Sequence, residues 1–191
     1  MKTKTLLLLL FLCFMHSLPA QKKSHSHRIS FSSQNYTGIL EGEAGTSFQL
    51  QTINGLRYKT WFAGVGTGLD YYYQRSIPLF ISLSKFLPSA KTPFYFNGDV
   101  GINFPWSKND RYYFQYRGDF SPSLYWAGGF GYKFSFKKGD QGILLNLGYS
   151  YKHIIQETET SYPCLIAPCP VFKERYDYRL KRLSLKAGWI F

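Results

Sequence analysis

Arg182-Leu183-Ser184-Leu185-Lys186-Ala187-Gly188-Trp189-Ile190-Phe191 ends the sequence and decides how the rest is read. Counting back from Phe191 in twos gives Trp189, Ala187, Leu185 and Leu183. Between them stand Gly188, Lys186, Ser184 and Arg182, which are small or charged. Side chains of a strand alternate between two faces. The segment is therefore expected to be a strand with one apolar face, one polar face and an aromatic carboxy-terminal end.

Toward the amino-terminus the same period of two recurs with few breaks. It is cleanest over 122–137, where Leu124, Trp126, Phe130, Tyr132, Phe134 and Phe136 oppose Ala127, Gly129, Gly131, Lys133 and Ser135. Over 142–156, Ile143, Leu145, Leu147, Tyr149 and Tyr151 oppose Asn146, Gly148, Ser150 and Lys152. Segments 93–104, 77–87, 58–72 and 47–53 alternate likewise, and 36–43 does so weakly; with 177–191 they make eight strands. Asn54-Gly55 carries the residues of a tight hairpin turn and is placed between the second and third strands.

Single-chain membrane barrels have an even strand count, short turns at one end and longer loops at the other. Here the connections near 54–57, 88–92 and 138–141 are short. Those near 105–120 and 157–176 are long and fall at the opposite end, with shorter ones near 44–46 and 73–76. The polar face is mainly Gly, Ser, Asn and isolated charges, which suits the narrow interior of an eight-stranded cylinder. The Trp, Phe, Tyr and Leu face suits lipid, which favours a barrel over a soluble sandwich. The fold class is all-β: an eight-stranded antiparallel transmembrane up-and-down β-barrel over 36–191.

Four short runs add to this reading by their order. They are Leu50-Gln-Thr-Ile-Asn-Gly-Leu56, Gly64-Val-Gly-Thr-Gly-Leu-Asp70, Ile77-Pro-Leu-Phe80 and Thr92-Pro-Phe94. Together they resemble the porin-like outer-membrane β-barrel domain family, across most of 36–191. The resemblance implies the barrel fold and a place in the cell outer membrane; it does not imply an open pore. The last strand also resembles the final strand of Gram-negative outer-membrane barrels, which the barrel-assembly machinery recognises. Phe191, Trp189, Leu185 and Leu183 are accordingly expected to be the assembly signal, with that machinery as a partner.

Export is expected from the other end. Residues 1–20 read as a Sec signal peptide, with Lys2 and Lys4 before the apolar run Leu6–Met15 and Pro19-Ala20 at the cleavage point. Residues 21–35 read as a flexible leader. His25 and His27 within it could capture a metal, but a solvated tail is the simpler reading. Once Cys13 is removed, Cys164 and Cys169 remain, and in an oxidising compartment they are expected to form a disulfide. They have no nearby His or further Cys to make a metal site. The net charge of +12 could suit nucleic acid, but an exported chain is expected to meet lipid and lipopolysaccharide instead, as a monomer. No cofactor is implied.

The chemistry-bearing residues are few. Strand parity puts Glu41, Glu43, Asp70, Asp99, Lys133, Lys152, Arg182 and Lys186 inside, where opposite charges should pair because an unpaired buried charge is expensive. An ionic plug is favoured over a conduit. Gly64, Gly66 and Gly68 lack the spacing of a dinucleotide fingerprint and read as lumen packing. His153 faces lipid at the outer rim, with Ser150 on the opposite face and Glu157 nearby, so no triad is expected and no catalytic residue is assigned. Lys108, Arg111, Arg117, Lys173, Arg175 and Arg179 lie in long outer loops beside aromatic residues such as Trp106 and Tyr176, and could clamp lipopolysaccharide phosphates. The functional expectation is a structural or surface-interaction, adhesion-type barrel. A narrow channel, a lipid A-modifying enzyme and a soluble lipocalin-like carrier are the rivals.

Overall fold

A computed structural model of the chain describes residues 29–87, 93–106, 117–136, 141–161 and 171–191. Nine strand segments appear among them: β1 (Ser30–Gly42), β2 (Gly45–Tyr58), β3 (Trp61–Asp70), β4 (Ser76–Phe86), β5 (Phe94–Pro105), β6 (Arg117–Ser121), β7 (Ser123–Ser135), β8 (Gly142–Ser161) and β9 (Val171–Ile190). Sequence neighbours pair antiparallel, and β1 pairs β9 from Gln34↔Ile190 to Gly42↔Arg182, which closes the sheet. Ser33 and Phe191 exchange two backbone hydrogen bonds at the seam, at 2.8 and 3.1 Å. Closure leaves no edge within the cylinder, the condition a sheet must meet to cross a bilayer.

β6 and β7 are two parts of one barrel strand. β6 pairs β8 in the register Ser121↔Ile155, whereas β7 pairs it in the register Tyr125↔Lys152, so the β6–β7 side carries one extra residue around Pro122. This is a β-bulge. Proline has no N–H for the ladder, and the Ser123 hydroxyl donates to the His153 carbonyl at that point. The fold is thus an eight-stranded antiparallel barrel.

Parity sorts the side chains as expected over most of the wall. Outward faces carry Leu50, Val65, Ile81, Val100, Phe130, Leu147 and Leu185, all exposed. Aromatic residues bracket this band. Tyr58, Trp61, Phe94, Phe134, Trp189 and Phe191 lie toward the end that holds the termini. Phe48, Tyr71, Phe104, Trp106, Trp126 and Tyr149 lie toward the other. An exposed apolar belt between two aromatic girdles is a lipid-facing surface. The buried core is therefore inside the cylinder.

Three expected boundaries shift. The barrel begins at Ser30 rather than 36: residues 30–35, expected in the leader, belong to β1, and Ser32, Ser33 and Gln34 are buried. This Ser-rich stretch is held by backbone pairing with β2 and β9 and turns Ser32 and Gln34 toward the lumen, with Phe31 its one apolar residue, so it shows no apolar alternation. Asn54-Gly55 is not the hairpin; both lie within β2, and the turn is Lys59–Thr60, with Lys59 at φ 54. Outward Leu56 and Tyr58 carry the lipid face four residues further. Gly55 serves a different need, because an added Cβ would stand 2.2 Å from the Ala63 carbonyl oxygen on β3. Finally, the described parts of the segment expected as a long loop at 157–176, residues 157–161 and 171–176, are strand. β8 and β9 each run 20 residues, about twice what a barrel strand needs to cross a membrane. With β6 they form a three-stranded ribbon beyond the outer rim.

Candidate functional site

At the outer end of the lumen one carboxylate serves two cations. Asp70, the last residue of β3, accepts a hydrogen bond from Arg182 Nη1 at 2.5 Å and lies 3.5 Å from Lys152 Nζ. All three side chains are shielded from solvent. Moving each ion out of water costs several kcal/mol, offset only by close partners of opposite sign and further hydrogen bonds. Those hydrogen bonds come from the β3–β4 connection. Lys152 Nζ donates to the carbonyls of Tyr72 at 3.0 Å and Gln74 at 2.7 Å, and the Tyr72 N–H donates to Asp70 at 2.8 Å. The Tyr72 ring lies 5.4 Å from the Arg182 guanidinium, and its hydroxyl accepts from the Ala44 N–H at 2.8 Å. The connection is thus folded across the mouth and held there. Tyr73 beside it takes φ 60, with its ring 4.9 Å from Tyr178 on the β9 ribbon. Loss of solvent and the hydrogen bond with Tyr178 push the Tyr73 phenol up to about 12.

Further in, polar and aromatic side chains interleave. Lys186 Nζ donates to Gln51 Oε1 at 3.1 Å, and Gln51 Nε2 donates to the Tyr125 hydroxyl at 3.0 Å. The Tyr36 and Tyr95 hydroxyls meet at 3.2 Å, and Asn146 donates to Asn97 Oδ1 at 2.7 Å. Asp99 is buried within electrostatic reach of Lys186. Ile53, Phe62, Phe80, Phe86, Leu144 and Ile190 join the tyrosines in a continuous buried cluster. Arg57 and Lys133 lie 5.1 and 5.8 Å from the Phe86 ring near the opposite mouth.

The structure brings together Asp70, Lys152 and Arg182 from the expected inner set and buries Asp99, Lys133 and Lys186 with them. Their pairing is only partly ionic, since the Lys186 ammonium donates to the Gln51 amide. Glu41 does not belong to the lumen. In β1 the even positions face inward, so Tyr36 and Leu40 take the inner wall while Glu41 is exposed and accepts from the Thr46 hydroxyl across the hairpin. Glu43 sits exposed in the turn. An apolar-out rule fails in that strand because Tyr36 and Leu40 help fill the lumen while Phe31 and Ile39 face outward. Tyr72, Gln51 and Tyr125 were not expected as site residues. Tyr125 and the inner Phe62, Phe80 and Tyr95 could have been found by strict parity, whereas Tyr72 lies in a connection with no periodic signal.

Outside the lumen, His153 Nε2 and Asp177 Oδ1 meet at 2.7 Å on the ribbon's outward face. This hydrogen bond from His153 holds the Asp177 carboxyl below its usual range, with the charges of His153, Arg179 and Arg175 adding to the effect. Ser150 is buried on the lumen side, so it does not meet the His153 ring. Lys173, Arg175 and Arg179, expected in a loop, are on β9 instead, where register sets Lys173 opposite Glu159 and Arg175 opposite Glu157. Lys108, Arg111, Cys164 and Cys169 lie outside the described residues, as does the side chain of Arg117. Phe191, Trp189, Leu185 and Leu183 share one exposed lipid-side row.

These features define the class: an eight-stranded transmembrane β-barrel of the outer-membrane type, with a charged cluster at one end of its lumen and a ribbon beyond one rim. No family model and no curated protein sequence matches the chain. Among solved structures it is similar to outer membrane protein AlkL, determined by solid-state NMR in DMPC lipid bilayers, at 12% identity and a TM-score of 0.49 over 92% of this chain and 96% of that one.

Proposed function

We propose that this chain resides in the cell outer membrane as a barrel that is closed through its lumen and works through its outer surface, in a structural or surface-interaction role of the adhesion type. The observation that carries this reading is the Asp70–Arg182–Lys152 cluster with the β3–β4 connection bonded over it. Below it, the aromatic cluster fills the lumen, as an eight-stranded barrel of this width allows. The ribbon formed by β6, β8 and β9 is the surface such a protein would offer to the outside. The protein is not an enzyme in this reading and takes no cofactor. It acts as a monomer, is inserted by the barrel-assembly machinery through its last strand, and has outer-membrane lipid and lipopolysaccharide as its immediate surroundings.

One observation favours a narrow channel as the second reading. Ser82, Ser84, Asp99, Asn103, Ser150 and Ser184 are buried polar residues of the inner wall, and a polar wall can carry water and ions. Recording from the purified chain in planar bilayers separates the two. Closed wild type with leak after Lys152→Met, which frees the Tyr72 and Gln74 carbonyls, supports the plug. Large, steady, ion-selective wild-type conductance replaces it with the channel.

A further inference from the structure

The lipid-facing wall changes character abruptly on one side of the barrel. Rising along β9, its outward row reads Leu185, Leu183, Lys181, Arg179, Asp177. Register places Tyr151 opposite Lys181 and His153 opposite Arg179, and Trp126 of β7 opposite Tyr151. Trp126 stacks on Tyr151 with centroids 6.0 Å apart and 21° between planes, and Tyr149 lies 5.6 Å away on its other side. A partly exposed aromatic trio therefore stands at the upper edge of the apolar belt, with Lys181, Arg179 and His153 above it.

The charge there is not cancelled. Lys181 forms no ion pair with a described residue, and Arg179, whose side chain is 73% exposed, reaches Asp177 only at 3.7 Å. Asp177 is already bonded to His153 at 2.7 Å. Higher on the ribbon, register sets Arg175 opposite Glu157. Uncompensated positive charge is thus concentrated where the hydrocarbon wall meets the headgroup layer.

We propose that the outward face of β7, β8 and β9 around Trp126, Tyr151, His153, Arg179 and Lys181 binds a phosphorylated glycolipid of the outer leaflet. Lys181 and Arg179 take its phosphate, whose oxygens match ammonium and guanidinium donors. The exposed Trp126 face meets a sugar ring, and an acyl chain runs down over Leu183, Leu147 and Phe130. Charge complementarity and depth select this occupant, because a purely apolar or unphosphorylated lipid leaves Lys181 unanswered and Arg179 with only the Asp177 carboxylate it shares with His153. The inference rests on the outer-membrane reading above.

The test uses the full exported chain inserted into phosphatidylcholine nanodiscs that also contain bis-phosphorylated lipid A, dephosphorylated lipid A or phosphatidylglycerol, with retained lipid measured by mass spectrometry. The wild type should retain bis-phosphorylated lipid A about tenfold more strongly than does Arg179→Ala/Lys181→Ala, the loss expected for charge-assisted hydrogen bonds. Lys181→Gln should fall between them. Lys85→Ala should behave as wild type, since Lys85 sits over Trp61 at the opposite girdle. Equal retention by wild type and the double variant overturns the site. So does equal retention of phosphatidylglycerol, which would mark a generic anionic surface. Heat-modifiable mobility reports insertion separately, and a wild type that never inserts overturns the membrane reading and the site with it.

Discussion

Arg182 shows what a single residue contributes. It stands on an otherwise regular strand, and sequence parity alone sends it inward. Its value comes from Asp70, 112 positions earlier, which it meets at 2.5 Å. Replacing Arg182 with Met should leave Asp70 buried with Lys152 as its remaining cation. Breaking a buried pair by removing one partner costs about 3–5 kcal/mol. The loss should be read as a lower urea midpoint for unfolding in detergent or bilayer, and a midpoint equal to wild type would show that the cluster adds little. On the ribbon, Asp177 offers a milder case. Its folded-state carboxyl lies below the usual range, so its contribution is present above that range and is lost as pH falls through the lowered value. Removing the His153 partner with His153→Ala should move the Asp177 titration upward, toward an ordinary carboxylate. A carbon-13 titration of the carboxyl checks this, and an unchanged midpoint would remove His153 as the cause.

The elements show where local signals lose to the cylinder. Asn54-Gly55 has strong hairpin chemistry, yet β2 continues to Tyr58 because its outward row and its pairing with β3 both run on through it. The turn is made instead at Lys59, despite its positive φ. Pro122 acts in the opposite sense: one imino acid shifts the β6 register against β8 and helps the wall pass from barrel into ribbon. Elsewhere the pleat is strict. In β4, buried and exposed residues alternate without exception from Ser76 to Phe86. Ile81 is among the most exposed apolar residues of the belt, at 64%. Ile81→Arg should therefore destabilise the inserted barrel by about 2–4 kcal/mol, as for a basic residue near the bilayer midplane. The same change in an unfolded reference should do nothing. Reversible unfolding in phospholipid vesicles measures it, and a neutral result would mean that Ile81 does not face hydrocarbon.

Across the whole molecule, stability and location come from closure. The seam joins β1 to β9 and engages Phe191 through its backbone with Ser33. Deleting Phe191 removes both that pairing and the last aromatic residue of the lower girdle. Expression of the deletion should give less heat-modifiable, surface-exposed protein and more unfolded chain in the periplasm. Wild-type levels of both would show that neither insertion nor closure depends on the last residue. The sequence by itself determined the class of fold, the lipid face, the lumen positions of Asp70, Asp99, Lys133, Lys152, Arg182 and Lys186, and the bounds of β4 and β5 to within a residue, because a period of two is a local property of the chain and lipid on one side makes it legible. It did not determine that β1 starts at Ser30, that Glu41 points outward, that Tyr72 and Gln74 are tied down by Lys152, or that β8 and β9 continue as a ribbon. Those depend on which strands become neighbours, on one-residue shifts of register and on side chains meeting across the interior from far apart in the chain. Only the closed barrel brings them together.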